Sequence, residues 1–390
     1  MTADGSQAAL SAYTTLGLGG PAGRFAAAGT ERDLVAEVQA ADQRGDPLLV
    51  LGGGSNLVIG DDGFPGAVVR VATAGVRLAA ADRADRAGQA GGTDRAGGAV
   101  TVTAAAGEDW DALARRCAAE GLAGVECLAG IPGLVGATPI QNVGAYGQEV
   151  AETITAVRAY DRASREIAEL SGADCGFGYR TSMFKRSTGW RAGHQEQPPG
   201  PAAPTGRYVV LSVTFRLARD RMSGPIRYAE LARRLGVSPG ERVPLADARA
   251  AVLELRRGKG MVLDPADPDT RSAGSFFTNP VVGPARLAAI EEAARSRFGP
   301  DAVVPRFPAG DAGDGQVKVP AAWLIERAGF AKGYGGAGAR ISAKHTLALV
   351  NPGGGSTKDL LALASEIQDG VRASFGIKLI PEPVLVGASL

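Results

Sequence analysis

The stretch ECLAGIPGLVGATPIQNVGAYGQE, residues 126–149, decides how the rest of this chain is read. It is apolar, but its apolar positions follow no helical spacing. Gly130, Gly133, Gly136, Gly144 and Gly147, with Pro132 and Pro139, interrupt every run. Glycine permits positive φ and close backbone approach, while proline fixes φ and removes a donor. The reading is a shaped, mostly buried loop. Such a loop must satisfy its own backbone polar groups. Two solutions stay open: packing against its own domain, or lining a large polar cofactor, with Gln141 and Asn142 supplying amides.

Outward from this loop, the composition is that of a globular chain. Its 390 residues are 45% hydrophobic and 21% charged, and length points to two or three domains. A net charge of +1 gives no field that would steer the chain to nucleic acid or an acidic membrane surface. A local basic site for an anionic substrate stays open. Cys117, Cys127 and Cys175 form no CxxC and no even-numbered disulfide framework. His194 and His345 are too few for a histidine-rich metal site, so no metal is expected. No signal pattern opens the chain and no apolar run reaches membrane-spanning length, so the expected location is the cytoplasm, without membrane insertion.

Upstream, residues 1–12 read as a loose tail and 14–25 as turn-rich. A helix is expected over 31–43, with Leu34 and Val38 on one face. A short strand over 48–51 runs into Gly52-Gly53-Gly54-Ser55-Asn56-Leu57. Three glycines after a strand let consecutive N–H groups converge as an anion nest, suited to a diphosphate. A tight turn without a ligand is the competing reading. The motif is neither a Walker A loop nor GxGxxG. A strand is expected at 68–71, a solvent-exposed excursion over 77–98, a strand around Val100 and Val102, and a helix over 108–120. That helix puts Trp110, Leu113, Ala114 and Cys117 on one stripe, which makes Cys117 a core residue.

Downstream, strands are expected at 154–160 and 208–217. Between them, DCGFGYRTSMFKR (174–186) sets Arg180 and Lys185 among aromatics, and a partly buried guanidinium needs an anion or carbonyl. Residues 191–206 read as a Pro/Gly-rich surface loop that carries a solvated His194. A second domain is expected from near Gly224, with helices over 228–235, 245–257, 285–298, 320–328 and 357–375. Arg256, Arg257 and Lys259 gather at the end of the second of these, where positive charge is favoured. Ser275 lies in a turn after Gly274, either capping it or donating a proton; it is not in a GxSxG elbow. A strand is expected at 346–350, and extended chain around Pro381-Glu382-Pro383. Glu382 is there either a tethered surface acid or a buried carboxylate.

Five blocks in fixed order resemble the UDP-N-acetylenolpyruvoylglucosamine reductase (MurB) family. They are GGGSNL (52–57), AGIPGLVGATPIQNVGAYGQE (129–149), FGYRTSMFK (177–185), AGSFFTNP (273–280) and WLIE (323–326). The resemblance runs from about Thr14 to Gly387. It implies an α+β fold: a vanillyl-alcohol-oxidase/PCMH-type FAD-binding domain over 1–218, with subdomains of about 1–72 and 73–218. A smaller α+β substrate-binding domain over 219–375 follows, then a tail, 376–390, returning to the active-site cleft.

It further implies an FAD-containing, NADPH-dependent oxidoreductase that makes UDP-N-acetylmuramate for peptidoglycan, a monomer whose partners are a UDP-sugar and NADPH. Gly53, Gly54, Ser55 and Asn56 would hold the diphosphate, and Gly136, Gln141, Asn142, Gly144 and Ala145 would wrap the flavin. Arg180, Ser275 and Glu382 would be catalytic; Tyr228, Lys259, Asn279 and His345 would hold substrate. Two departures stand out. The family's C-terminal Leu-Glu-Pro-Glu-Val-Arg reads Leu379-Ile380-Pro381-Glu382-Pro383-Val384 here, and Phe307 stands where some members carry a lid tyrosine. Three rival readings stay open: another flavin oxidoreductase of the same fold, a non-catalytic FAD or UDP-sugar binding protein, and a structural protein that binds neither.

Overall fold

The computed structural model describes residues 8–81, 98–188, 204–309 and 315–390. His194, most of the 191–206 loop and most of the 77–98 excursion lie outside them. The chain divides into two compact units. The first is built from 1–8, 22–53 and 64–262, the second from 9–21, 54–63 and 263–390.

In the first unit, a three-stranded parallel sheet places Phe64–Val71 between Ala22–Ala28 and Leu48–Leu51. Helix Glu31–Arg44 starts where the Thr30 hydroxyl accepts the Asp33 N–H and stops at Gly45, whose φ of 70° only glycine adopts freely. Its Leu34, Val38 and Ala41 are buried. A second, antiparallel sheet runs in the order Glu166–Ser171, Ile154–Asp161, Tyr208–Arg219, Ala99–Ala105, Val76–Ala80, with Leu122–Ala123 also on the long central strand. One core joins both sheets to helix Trp110–Ala119, where Trp110 packs on Phe215 with ring centroids 5.8 Å apart. A buried ion pair, Arg162 to Asp42 at 2.5 Å, ties the helix of the parallel sheet to the strands. Arg162 also donates to the carbonyls of Thr205 and Gly206, which satisfies a guanidinium that burial would otherwise penalise.

Helices Ala229–Leu235 and Leu245–Gly258 also belong to this unit. Ile226, Leu231, Val243, Ala248 and Val252 share a core with Cys127 and Ala129 of the glycine-rich stretch. Residues 219–262, read from sequence as the start of the substrate-binding domain, are thus compact with the FAD-type unit, because their apolar faces close on its loop.

In the second unit, helix Thr357–Phe375 buries Leu360, Leu363, Ala364, Ile367 and Val371 against Ile290 and Ala294 of helix Pro284–Phe298 and Leu324 of helix Ala321–Arg327. Val281–Val282, Val317–Lys318 and Phe307–Pro308 form a small antiparallel sheet. Leu57–Ile59 pairs in parallel with Val384–Val386. Thus the strand that follows the triple glycine is completed by the C-terminus.

Several expectations change. The supposed tail holds a 3-10 turn, Leu10–Tyr13, with Leu10 buried. The turn-rich stretch gives way at Ala22 to a strand. Val76–Ala80 is an edge strand rather than the start of an excursion. The strand expected at 346–350 is only Leu349–Val350.

The Asp61 carboxylate accepts the N–H groups of Thr357 (2.8 Å) and Lys358 (3.0 Å), and the Thr357 hydroxyl donates to the Ile59 carbonyl at 2.6 Å. Residues 54–63 are therefore fastened to the start of the longest helix. Asp61→Ala should lower the stability of the chain by about 1 kcal/mol through two orphaned helix N–H groups. Thermal and urea unfolding of the two proteins measures it.

Candidate active site

The 124–151 loop is held by side chains inserted into it. Glu126, itself buried, accepts the N–H groups of Gly124 (2.6 Å) and Gly224 (2.7 Å). Gln148 accepts from Cys127 at 2.8 Å, and Asp111 from Gly130 at 2.7 Å. The Trp110 indole donates to Leu128 O, Arg256 to Gly130 O, and Ser182 to Ile140 O. Burial alone would raise the Asp111 carboxyl; the Arg249 guanidinium and the Gly130 N–H hold it below the usual carboxylate range. Burial draws the Arg256 guanidinium down to about 10, so it stays charged at neutral pH.

The glycines shape this loop. A Cβ at Gly136 would lie 2.5 Å from that of Ala106, and one at Gly53 2.8 Å from Gly133 Cα. Gly54 has a φ of 62°, and a Cβ there would meet Tyr13 O at 1.9 Å. Gly54 thus takes the left-handed conformation that one member of an anion nest requires. Residues 52–57 contain no acid, and Ser55 and Asn56 add a hydroxyl and an amide. This donor set fits a diphosphate.

Arg180 stands in a tight turn closed by Gly178 and Thr181, which exchange both backbone hydrogen bonds. Its φ is 54°, and its Nη2 donates to Gly144 O at 2.9 Å. The carbonyl partner expected for a half-buried guanidinium is therefore supplied by the loop itself. Non-glycine residues with positive φ are uncommon and mark functional strain. Of the four found among the described residues, Asn142, Tyr146 and Arg180 belong to this constellation. Asn142 is 1% exposed and its amide is engaged by protein groups. Gln141, Gly144 and Ala145 are half-buried.

Tyr228 and Lys259 are also brought together, through a residue the sequence reading passes over. The Tyr146 ring packs edge-on to Tyr228, centroids 5.5 Å apart, and Lys259 Nζ lies 5.7 Å from its centre. Burial pushes the Tyr146 phenol up to about 12. Glu230 accepts from Lys259 at 2.5 Å. Tyr146 and Glu230 could have been found from their place in GAYG and in the first turn of a helix beginning beside Tyr228.

In the second unit, Ser275 follows Gly274, whose φ is 78°. The flanking backbone is pinned: Phe276 N–H donates to Leu347 O, Glu382 N–H to Phe276 O at 2.9 Å, and Thr278 N–H to Ile380 O. Ser275 and Glu382 therefore sit on adjoining extended segments. Glu382 is half-buried, and its carbonyl accepts the Asn56 amide at 3.5 Å. Asn279 accepts the Ala321 N–H at 2.9 Å, so its oxygen caps a helix. His345 is half-buried in the turn before Leu349–Val350, its N–H donating to the Ser342 hydroxyl. Phe307 is 57% exposed.

Residues 22–171 match the model described as FAD binding domain, and 265–386 match UDP-N-acetylenolpyruvoylglucosamine reductase, C-terminal domain. Fold and site thus define an FAD-containing oxidoreductase. The UDP-N-acetylenolpyruvoylglucosamine reductase of Streptomyces avermitilis is 54% identical over 98% of this chain and 95% of its own. That of Thermobifida fusca is 52% identical over 98% and 97%. The chain belongs to the UDP-N-acetylenolpyruvoylglucosamine reductase family. The crystal structure of the Thermus caldophilus enzyme, 24% identical over 98% of each chain with a TM-score of 0.59, shows the same fold.

No helix among the described residues is long and apolar enough to cross a membrane, and no metal-binding cluster is found among them. All three cysteines are buried; burial pushes Cys117 and Cys175 up to about 12, and Cys127 higher still. Native protein at neutral pH should therefore resist a thiol reagent that titrates all three after denaturation. Folded thiols titrate above their unfolded value of 9.0. Their contribution to stability is full below that pH and is lost as pH rises toward 12. Melting temperature should fall across that window.

Proposed function

We propose that this chain reduces the enolpyruvyl ether of UDP-N-acetylglucosamine to UDP-N-acetylmuramate, with NADPH as reductant, in peptidoglycan precursor synthesis. FAD, when bound, supplies the hydride relay between NADPH and the vinyl group. The observation that carries this reading is Arg180, held in a left-handed turn with its guanidinium on the Gly144 carbonyl of the glycine-rich loop. A fixed cation costs no reorganisation when charge develops.

Hydride arriving at C3 of the vinyl ether leaves negative charge at C2, spread into the carboxylate. Arg180, and Glu382 in its protonated, hydrogen-bond-donating form, stabilise that charge by preorganised hydrogen bonding, and Ser275 delivers the proton to C2. A serine hydroxyl is a weak acid, so it serves here only against a strong carbanion-like base at close range. Tyr228, Lys259, Asn279 and His345 hold the nucleotide sugar. Gly53, Gly54, Ser55 and Asn56 hold the cofactor's diphosphate, and Gly136, Gln141, Asn142, Gly144 and Ala145 line its flavin end. In function, residues 1–218 bind FAD, 219–375 bind substrate and 376–390 bring Glu382. The net charge of +1 gives no field that would draw nucleic acid, and a cytoplasmic monomer completes the reading.

Anaerobic stopped-flow absorbance tests this reading. NADPH should bleach the flavin, and UDP-N-acetylglucosamine enolpyruvate should restore it. Bleaching without recovery would point to another acceptor, and a protein that takes up no FAD would refute the proposal. Ser275→Ala should leave NADPH-driven bleaching nearly intact and slow recovery by about 10²–10⁴-fold. Loss in neither half-reaction would remove Ser275 from its role.

A further inference from the structure

We propose that Asn142 is a positioning residue for Arg180: its side chain acts within the protein, holding the arginine turn against the glycine-rich loop. The inference rests on the functional reading above and deepens it. The geometry is a closed circuit. Asn142 Nδ2 donates to Gly178 O at 3.1 Å and to Glu149 Oε2 at 2.7 Å, while its Oδ1 accepts the Ala151 N–H at 3.2 Å. Gly178 opens the tight turn that Thr181 closes, with Arg180 between them at a φ of 54°. The Arg180 guanidinium returns to Gly144 O, two residues beyond Asn142. Gly144 in turn pairs with Glu149, the acid that holds the Asn142 amide.

Three features make this a device for orientation. First, an asparagine amide has two donor hydrogens, and both are spent on protein acceptors in a buried position. Second, Asn142 itself has a φ of 48°, a conformation asparagine tolerates better than most residues. The loop and the arginine turn therefore each carry a left-handed residue, and the Asn142 amide joins the two. Third, there is no slack around the ring. A Cβ at Gly144 would lie 2.8 Å from Glu149 Cγ and 3.4 Å from Arg180 Nη1. Releasing the amide frees the turn at Gly178 and lets Arg180 leave the orientation in which it faces developing charge. A misplacement of about 1 Å is enough to cost 10²-fold in rate.

Asn142→Gly tests this, because glycine removes the amide yet keeps positive φ accessible. In FAD-loaded protein, substrate-dependent reoxidation should slow about 10- to 100-fold, and by a larger factor than reduction by NADPH does. The same change placed in Arg180→Ala should slow reoxidation no further, since its effect passes through that guanidinium. Hydrogen exchange, independent of turnover, should show faster exchange at the Gly178 and Thr181 amides. Asn142→Asp, which keeps shape and acceptor but loses both donors, should reproduce the exchange result. Equal slowing of both half-reactions, multiplicative loss with Arg180→Ala, or unchanged exchange at 178–181 would overturn the proposal. If wild-type protein shows no substrate-dependent reoxidation, the functional reading fails, and the exchange measurement alone decides whether Asn142 holds the turn.

Discussion

An irregular backbone cannot be buried unless its amides and carbonyls find partners, and the 124–151 loop meets that requirement with borrowed side chains. An unpaired buried peptide group costs about 1–3 kcal/mol, so leaving several unmet would cancel much of a domain's net stability. Glu126, Gln148, Asp111, Trp110, Ser182 and Arg256 answer different groups of this loop. They come from both neighbouring helices, from the loop's own ends and, for Ser182, from the segment just after Arg180. Those contacts explain why helix Leu245–Gly258 packs with the first unit: its Arg256 and Arg249 are tied to Gly130 and Asp111. The glycines then serve shape, and in the proposed reading the exposed remainder of the loop meets the cofactor.

The second unit solves a related problem with strands. Its short ladder of Leu57–Ile59 with Val384–Val386 fixes Asn56 and Glu382 relative to each other, because Val384 N–H donates to Asn56 O. Asp61 at the far end of the same segment caps the longest helix. A proposed cofactor residue and a proposed catalytic residue are therefore set by one strand pairing. The altered C-terminal motif is compatible with this arrangement. Backbone pairing needs Val384–Val386 to be extended, and the identity of the residues flanking Glu382 matters less to it.

Sequence was most legible where one period dominates. Helices Glu31–Arg44 and Thr357–Phe375 carry both a clear apolar stripe and capping residues, and they start where those residues lie. Strand Tyr208–Arg219 alternates strictly over its middle. The misses have a common cause. Ala22–Ala28 is mostly small residues, with no β-branched one, and Glu166–Ser171 is a half-exposed edge, so neither carries the β-branched alternation that marks a strand. The functional blocks were legible by motif, and Arg180's need for a carbonyl by burial. What one dimension hid was the pairing: that Tyr146 joins Tyr228 to Lys259, and that Glu126 reaches across to Gly224. Those contacts depend on loops whose course no periodicity encodes.

The parallel pairing of Leu57–Ile59 with Val384–Val386 also sets a timetable for synthesis. Leu57 leaves the ribosome 327 residues before Val384, its partner. At roughly 5–20 residues per second, the interval is on the order of half a minute. The first unit, complete once residue 262 has emerged, can consolidate during that time. Residues 57–59 meanwhile lack their partner strand. The nascent chain thus carries an unpaired strand until residues 384–386 emerge, and a chain stopped before them would leave it unpaired for good.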